Sequence, residues 1–137
     1  MPTQEAKDIR IEVFQKEQGF QQEFDEIDNY ALSFLGSIDG KTVATLRLFR
    51  DKENSNRFTI GRVAVRKEYR GRGLGQELIK EALKVAKEEG ATAVYLHSQI
   101  TAMGFYESCG FEGFGEIGLD EGCPHRWMVK YLSSKNL

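Results

Sequence analysis

The feature that most constrains this chain is the segment Arg70-Gly71-Arg72-Gly73-Leu74-Gly75, which lies between a predicted strand and a predicted helix. Apolar and β-branched residues over 58–65 predict the strand, and apolar residues at every fourth position from Leu74 to Ala86 predict the helix. Three alternating glycines allow a ligand to approach the backbone closely. Because the first turn of a helix adds unpaired N–H groups and a positive dipole end, the sequence predicts an anion site here, most naturally for phosphate.

Local charge supports a phosphate site, and spacing excludes two common phosphate loops. Between Arg62 and Arg72 there are five basic residues and one acid, in a chain of formal net charge −2. Gly75 is followed by Gln76-Glu77, which excludes a Walker loop, and no third glycine has the spacing of a dinucleotide fingerprint. A tight turn with solvated arginines remains the alternative. Nucleic-acid binding is not predicted, because no reading motif accompanies the basic residues.

The remaining pattern predicts a mixed sheet flanked by helices, an α/β fold of the mixed α+β kind. Apolar residues at helical spacing predict a first helix over residues 4–17, followed by an acidic loop over 20–31. Asp39-Gly40 predicts a hairpin turn, and Thr101 is predicted to cap a short helix that runs to about Cys109. The predicted strands cover residues 33–38, 42–49, 58–65, 93–97, 111–117 and 126–132.

Length and composition limit the class of protein. A chain of 137 residues is predicted to form one domain, residues 1–137, and can bury a core without metal or disulfides. No apolar run is long enough to span a bilayer, and the first ten residues do not resemble a secretory signal. Two cysteines, Cys109 and Cys123, make neither a disulfide framework nor a zinc site. We therefore predict a cytoplasmic protein with reduced thiols, no metal site and no membrane partner.

Three motifs, in order along the chain, resemble those of the GNAT acetyltransferases. Residues 70–75 match the pattern Arg/Gln-x-x-Gly-x-Gly/Ala, residues 61–65 resemble the family's fourth strand, and residues 105–111 resemble Phe-Tyr-x-x-x-Gly-Phe. Residues 13–19 and 122–128 resemble a small single-domain branch called YjcF-like or ElaA-like. The resemblance covers residues 9–132 and implies a mixed, mostly antiparallel sheet that is splayed at its centre. The family's usual first strand is not expected before the first helix.

The resemblance implies that acetyl-CoA is the cofactor. Its pantetheine arm would pair with exposed backbone like an added strand, and its thioester would lie between the family's fourth and fifth strands. Many members have Asn near the position of Gln99, whose amide could make the same contact with a longer reach. The implied cofactor-binding residues are Val63, Ala64, Val65, Arg70, Gly71, Arg72, Gly73, Leu74, Gly75 and Gln99.

Direct acetyl transfer needs a neutral amine, a stabilised oxyanion and, for the departing thiolate, a proton. The resemblance places the hydroxyl of Tyr106 near the sulfur, so Tyr106 is the candidate catalytic acid. The alternative is a core aromatic, because Phe105 and Phe111 flank it.

Glu17, Asp28 and His125 are the candidate acceptor-binding residues. Glu17 and Asp28 lie in the helix–loop region that lines the acceptor side in the family, and an ordinary hydrogen-bonding role is the alternative for His125. The acidic run as a whole is interpreted as a solvated loop, with members Glu23, Asp25, Glu26 and Asp28. The resemblance implies an N-acetyltransferase for a small-molecule or peptide amine, and a homodimer is the candidate assembly. A non-catalytic acetyl-CoA sensor is the alternative.

Overall fold

The computed structural model describes residues 2–20 and 24–132, which form a six-stranded mixed sheet flanked by helices. The strands are β1 Leu32–Ile38, β2 Lys41–Arg50, β3 Arg57–Val65, β4 Ala93–Gln99, β5 Glu112–Asp120 and β6 Cys123–Tyr131. The α-helices are α1 Gln4–Arg10, α2 Leu74–Glu88 and α3 Met103–Ser108; a π-helix covers Ile11–Glu17, and 3₁₀ turns cover Glu26–Asn29, Lys67–Tyr69 and Ile100–Ala102. The hydrogen-bonded strand order is β1-β2-β3-β4-β6-β5. The predicted fold class is therefore confirmed.

Contacts divide the chain into two compact units. Unit 1 comprises Met1–Phe49 and Ile60–Ala82, and unit 2 comprises Arg50–Thr59 and Leu83–Leu137. The expected single domain over residues 1–137 stays a prediction, and the two units are described in turn.

The first element of unit 1 among the described residues is the helix α1. The Thr3 hydroxyl caps α1 by accepting from the Ala6 N–H at 3.2 Å. Ile9 and Val13, on the apolar stripe of the first helical region, are buried with Ala64 of β3 in one cluster. The predicted helix over residues 4–17 is confirmed in extent, but its second half is π-helical.

The π-helix is marked by a backbone bond between residues five apart: the Gln18 N–H donates to the Val13 carbonyl at 3.1 Å. Residues five apart therefore lie one turn above each other over Ile11–Glu17. In an α-helix the neighbours on one face are three and four residues apart, so the change of helix type alters which side chains share a face.

The hairpin of β1 and β2 closes at Asp39-Gly40, as predicted. Both residues have positive φ, 51° and 79°, the backbone geometry of the favoured two-residue hairpin turn. The antiparallel register runs from Leu32↔Leu48 to Ile38↔Lys41 with a shift at Gly36/Ser37. A Cβ at Gly36 would lie 3.3 Å from the Ala44 Cβ, so glycine permits close packing there.

Unit 2 contains the start of β3, all of β4 and the hairpin of β5 and β6. The first residues of β3 run parallel to β4 over the three pairs from Arg57↔Ala93 to Thr59↔Tyr95. Strand β6 pairs antiparallel with both β4 and β5. Both hairpin strands extend beyond their predicted bounds, because Glu121-Gly122 forms a tight turn with φ of 49° and 79°.

The predicted Thr101 cap is wrong. Thr101 lies inside the 3₁₀ turn Ile100–Ala102, and Ala102 occupies the N-cap position of α3 without a side-chain hydrogen bond. The 3₁₀ turn leads directly into the helix, so the hydroxyl does not occupy the capping position.

Candidate functional site

The glycine-rich loop of unit 1 presents its backbone as an anion cradle. Gly71 and Gly73 have φ of 80° and 79°, where a side chain would strain the backbone, and a Cβ at Gly71 would meet nothing within 4 Å. The N–H groups of residues 71–75 donate to no residue in the described part of the chain. They lead into the 15-residue helix α2, whose dipole adds positive potential. Unpaired donors in open space fit a phosphate group.

The arginines of this loop are engaged with the protein rather than only solvated. The Arg70 Nε donates to the Val65 carbonyl at 2.9 Å, and its Nη1 and Nη2 donate to the two Glu17 carboxylate oxygens at 2.6 and 2.8 Å. The Arg72 guanidinium lies 5.2 Å from the centroid of the Tyr69 ring. The loop is therefore held by specific contacts, although solvated arginines were the alternative expectation.

Glu17 contacts the segment predicted to bind the cofactor. The hydrogen bonds from Arg70 lower the pKa of the Glu17 carboxyl and raise the pKa of the Arg70 guanidinium, so this pair is ionised over the whole neutral range. Sequence reasoning placed Glu17 apart from the phosphate loop, because the partners are 53 residues apart. The role of Glu17 in acceptor binding stays a prediction.

Asp28 is buried in a cluster of two arginines. Its carboxylate accepts from Arg10 Nη1 and Nη2 at 2.8 and 3.1 Å and from Arg47 Nη1 at 3.2 Å. Burial alone would raise the pKa of Asp28, but hydrogen bonds from Arg10 and from the Asp25 backbone, with the charges of both arginines, lower it to about 2. Its acceptor-binding role stays a prediction, and its carboxylate is already held by protein donors.

The interpretation of the acidic run as a solvated loop is wrong for two of its members. The Asp25 carboxylate accepts hydrogen bonds from Arg47 Nη1 and Nη2 at 2.7 and 3.1 Å, and Asp28 is only 5% exposed. Glu26 is exposed, as expected, and Glu23 lies outside the described residues. Composition alone did not reveal these pairs, because the partner arginines lie in α1 and β2.

The end of β3 carries the backbone predicted to pair with the pantetheine arm. Arg62 has a φ of 53°, which interrupts the extended backbone directly before Val63, Ala64 and Val65. Ala64 is buried at 3% exposure, and the Val65 carbonyl accepts the bond from Arg70 Nε. Pairing of these residues with a pantetheine arm stays a prediction.

Tyr106 lies in α3 of unit 2 within an aromatic cluster. Its ring makes edge contacts with Phe105 and Phe111, with centroids 5.1 and 6.3 Å away. Its hydroxyl makes no hydrogen bond with the residues that the structure describes. Burial, with a smaller effect of the nearby Cys109 thiol, raises the pKa of Tyr106 well above its usual range, so the hydroxyl stays a donor.

His125 and Gln99 face each other in the register of β6 and β4. His125 is 6% exposed, and its Nδ1 lies 2.8 Å from the Cys123 carbonyl, which can only accept. In the neutral ring the proton is therefore on Nδ1. The His97 ring lies 4.9 Å from that of His125, and burial together with His125 lowers the pKa of His97.

The thiols contribute no bridge, since Cys109 and Cys123 are both free. Burial raises the pKa of the Cys109 thiol, which keeps it protonated and weakly nucleophilic at neutral pH. Among the helices of the described residues, none combines the length and apolar character needed to cross a membrane.

Comparison with known proteins adds to this geometry. A family model described as the acetyltransferase (GNAT) family matches residues 3–111. The chain is 32% identical over 125 residues to the uncharacterized N-acetyltransferase YjcF of Bacillus subtilis, covering 89% of this chain and 87% of YjcF. The crystal structure of Escherichia coli ElaA matches with a TM-score of 0.82 and 29% identity over 91% of this chain and 86% of ElaA. A Bacillus anthracis acetyltransferase crystallised with acetyl coenzyme A has a TM-score of 0.68 at 22% identity, covering 81% of this chain and 70% of that one.

Proposed function

The chain belongs to the acetyltransferase (GNAT) family and is an N-acetyltransferase, and from that premise we propose direct transfer of an acetyl group from acetyl-CoA to an amine of a small molecule or peptide. Its similarity to YjcF and ElaA confirms the narrower branch expected from the sequence. The observation that carries the proposal is the open row of backbone N–H groups over residues 71–75.

Acetyl-CoA is the cofactor, and when bound it supplies the activated thioester that the amine attacks. The backbone donors of residues 71–75, from Gly71 to Gly75, would hold its pyrophosphate at the start of α2, where the helix dipole favours negative charge. The backbone of Val63, Ala64 and Val65 would hold the pantetheine arm, and the Gln99 amide is proposed as a further contact. The two positive-φ glycines support this assignment, because they leave the backbone at positions 71 and 73 without side-chain atoms of their own.

Tyr106 is the proposed acid. A cofactor thiol has a pKa of about 8.5 and a free tyrosine about 10, so proton donation to the sulfur is uphill in water. Burial raises the pKa of Tyr106 further, so full transfer is less favourable than for a free tyrosine. Its hydroxyl therefore acts by donating a hydrogen bond as negative charge develops on the sulfur. The absence of a hydroxyl partner among the described residues supports this role, since the donor is available.

The acceptor side is proposed to involve Glu17, Asp28 and His125. His125 donates from Nδ1 to the Cys123 carbonyl, which orients its ring, and its proposed role is to contact the acceptor amine or to relay its proton. Asp28 is already paired with two arginines, so its contribution is to hold the acceptor-side loop in place.

Thiol release from acetyl-CoA over a panel of amines, with product identification by mass spectrometry, tests the proposed function. We expect turnover with at least one class of primary amine. Tight binding of acetyl-CoA with no thiol release for any amine would favour the sensor instead. Calorimetry with CoA tests the cofactor site separately, and a wild-type protein that does not bind CoA would refute the assignment of the loop.

A further inference from the structure

Two carboxylates of the π-helix contact two arginines that flank the approach to the glycine-rich loop. Glu12 and Glu17 are five residues apart, the repeat of π-helical hydrogen bonding, so they project from one face. Arg66 and Arg70 are separated by the 3₁₀ turn Lys67–Tyr69, which leads directly into the loop. In an α-helix, residues five apart would diverge around the axis, and the two contacts would not form from one face.

Each arginine is fixed at more than one nitrogen. Arg66 Nη1 donates to Glu12 Oε1, and its Nε donates to the Thr42 carbonyl at 3.2 Å. Arg70 places one edge of its guanidinium against both oxygens of Glu17 and its Nε against the Val65 carbonyl. Bidentate pairing of this kind fixes orientation as well as distance. Both ends of the 66–70 segment are therefore attached to the π-helix or to strand backbone.

We propose that the π-helix Ile11–Glu17 is a two-point clamp that positions the phosphate-binding loop, with Glu17 and Arg70 as positioning residues. This inference rests on the proposed function, because it concerns how the cofactor loop is held ready. The charge of Arg70 is balanced by Glu17, so Arg70 contributes orientation of residues 71–75 rather than attraction for phosphate. The sequence predicts that Arg70 binds the cofactor and that Glu17 binds the acceptor. In the clamp, both residues position the phosphate-binding loop.

The Glu17→Gln variant separates the clamp from direct phosphate binding by the sign of its effect. If Arg70 positions the loop, losing the carboxylate loosens it, and we expect the Kd for CoA to rise roughly three- to tenfold. If Arg70 instead binds phosphate, Glu17 competes for it, and the same variant would bind CoA as tightly as wild type or more tightly. The measurement is calorimetry at fixed ionic strength.

The Arg70→Lys variant gives a second measurement on a conservative change. Lysine keeps the charge but not the planar fork, so we expect a loss of CoA affinity similar to that of Glu17→Gln. The double variant should lose no more CoA affinity than either single variant, because both substitutions disrupt the same Glu17–Arg70 interaction. Additive losses would overturn the clamp, and so would an Arg70→Lys protein of wild-type affinity.

Two further readouts distinguish positioning from general destabilisation. Amide exchange of residues 71–75 should quicken in Glu17→Gln, and the KM for acetyl-CoA should rise. Glu89→Gln is the matched control, because it removes a carboxylate from an exposed pair with Arg50 at 3.6 Å in unit 2; its CoA affinity should not change. If the wild-type protein binds CoA and the Glu17→Gln protein binds it equally tightly or more tightly, the clamp alone is overturned. A wild-type protein that does not bind CoA overturns the proposed function.

Discussion

Replacing Asp28 with asparagine should destabilise unit 1 by removing the charge that two buried arginines share. The side chains of Arg10, Arg47 and Asp28 are 2%, 5% and 7% exposed, so the arginines cannot recover full hydration. Breaking a buried pair by removing one partner costs about 3–5 kcal/mol. Asp25 still neutralises Arg47 in the variant, so we expect a loss near the lower end, about 3 kcal/mol, in the free energy of unfolding at pH 7.

Part of that loss must depend on pH. The pKa of Asp28 is lowered from 3.8 to about 2, which corresponds to about 2 kcal/mol, since a change of one in pKa is worth about 1.36 kcal/mol. Because the pKa is lower in the folded state, this stabilisation is complete above pH 3.8 and is lost as pH falls through about 2. The difference between wild type and Asp28→Asn should therefore be constant from pH 7 to about 5 and shrink by about 2 kcal/mol by about pH 2.

Urea unfolding followed by circular dichroism at a series of pH values measures both parts. Glu26→Gln is the matched control: it removes a carboxylate from the same 3₁₀ turn, at an exposed position, and should change stability by less than about 0.5 kcal/mol. Asp28→Asn protein that loses less than about 1 kcal/mol at pH 7 would refute the buried-pair reasoning. A difference from wild type that does not vary with pH would refute the assigned pKa.

Three further predictions concern activity. Gly73→Glu should abolish CoA binding in folded protein, because a side chain at φ 79° strains the loop and its carboxylate repels phosphate; calorimetry with retained affinity would contradict the cradle. Tyr106→Phe should lower kcat by about a hundredfold with normal CoA affinity and melting temperature, and its raised pKa predicts that the wild-type enzyme shows no alkaline loss from this group below about pH 10; a wild-type kcat would return Tyr106 to a packing role. His125→Ala should raise the acceptor KM or lower turnover while CoA affinity stays near wild type; equal loss of CoA affinity would place His125 with the cofactor.

Local signals predicted much of the fold. Asp39-Gly40 predicted the first hairpin because that turn needs positive φ at both residues, and the stripe from Leu74 to Ala86 predicted α2 because its spacing matches the helical period. The Glu121-Gly122 turn follows similar chemistry and could have extended the last two strands. The π-helix was not predicted, since the apolar spacing over residues 4–17 fits an ordinary helix and the change of hydrogen bonding has no pattern of its own.

The candidate site was predictable only where it consists of backbone. The glycine loop is local, so its sequence shows both the positive φ positions and the following helix. The other contacts join residues far apart in the sequence. Asp28 lies 18 residues from Arg10 and 19 from Arg47, and Glu17 lies 53 residues from Arg70. A charged residue in sequence does not show its partner, so solvated charges and paired charges look alike until the chain is folded.

The arginine–aspartate cluster also bears on how unit 1 assembles. It draws on α1, on the 3₁₀ turn Glu26–Asn29, on β2 and, through Arg62, on β3. Burying a charged side chain away from water without its partner costs several kcal/mol. Docking of only two of these segments therefore carries a desolvation penalty, which the charged residues of the remaining segments offset. Half-assembled forms are therefore disfavoured relative to both the open and the complete forms. The same cluster that holds Asp28 in place thus makes these four segments fold and unfold together.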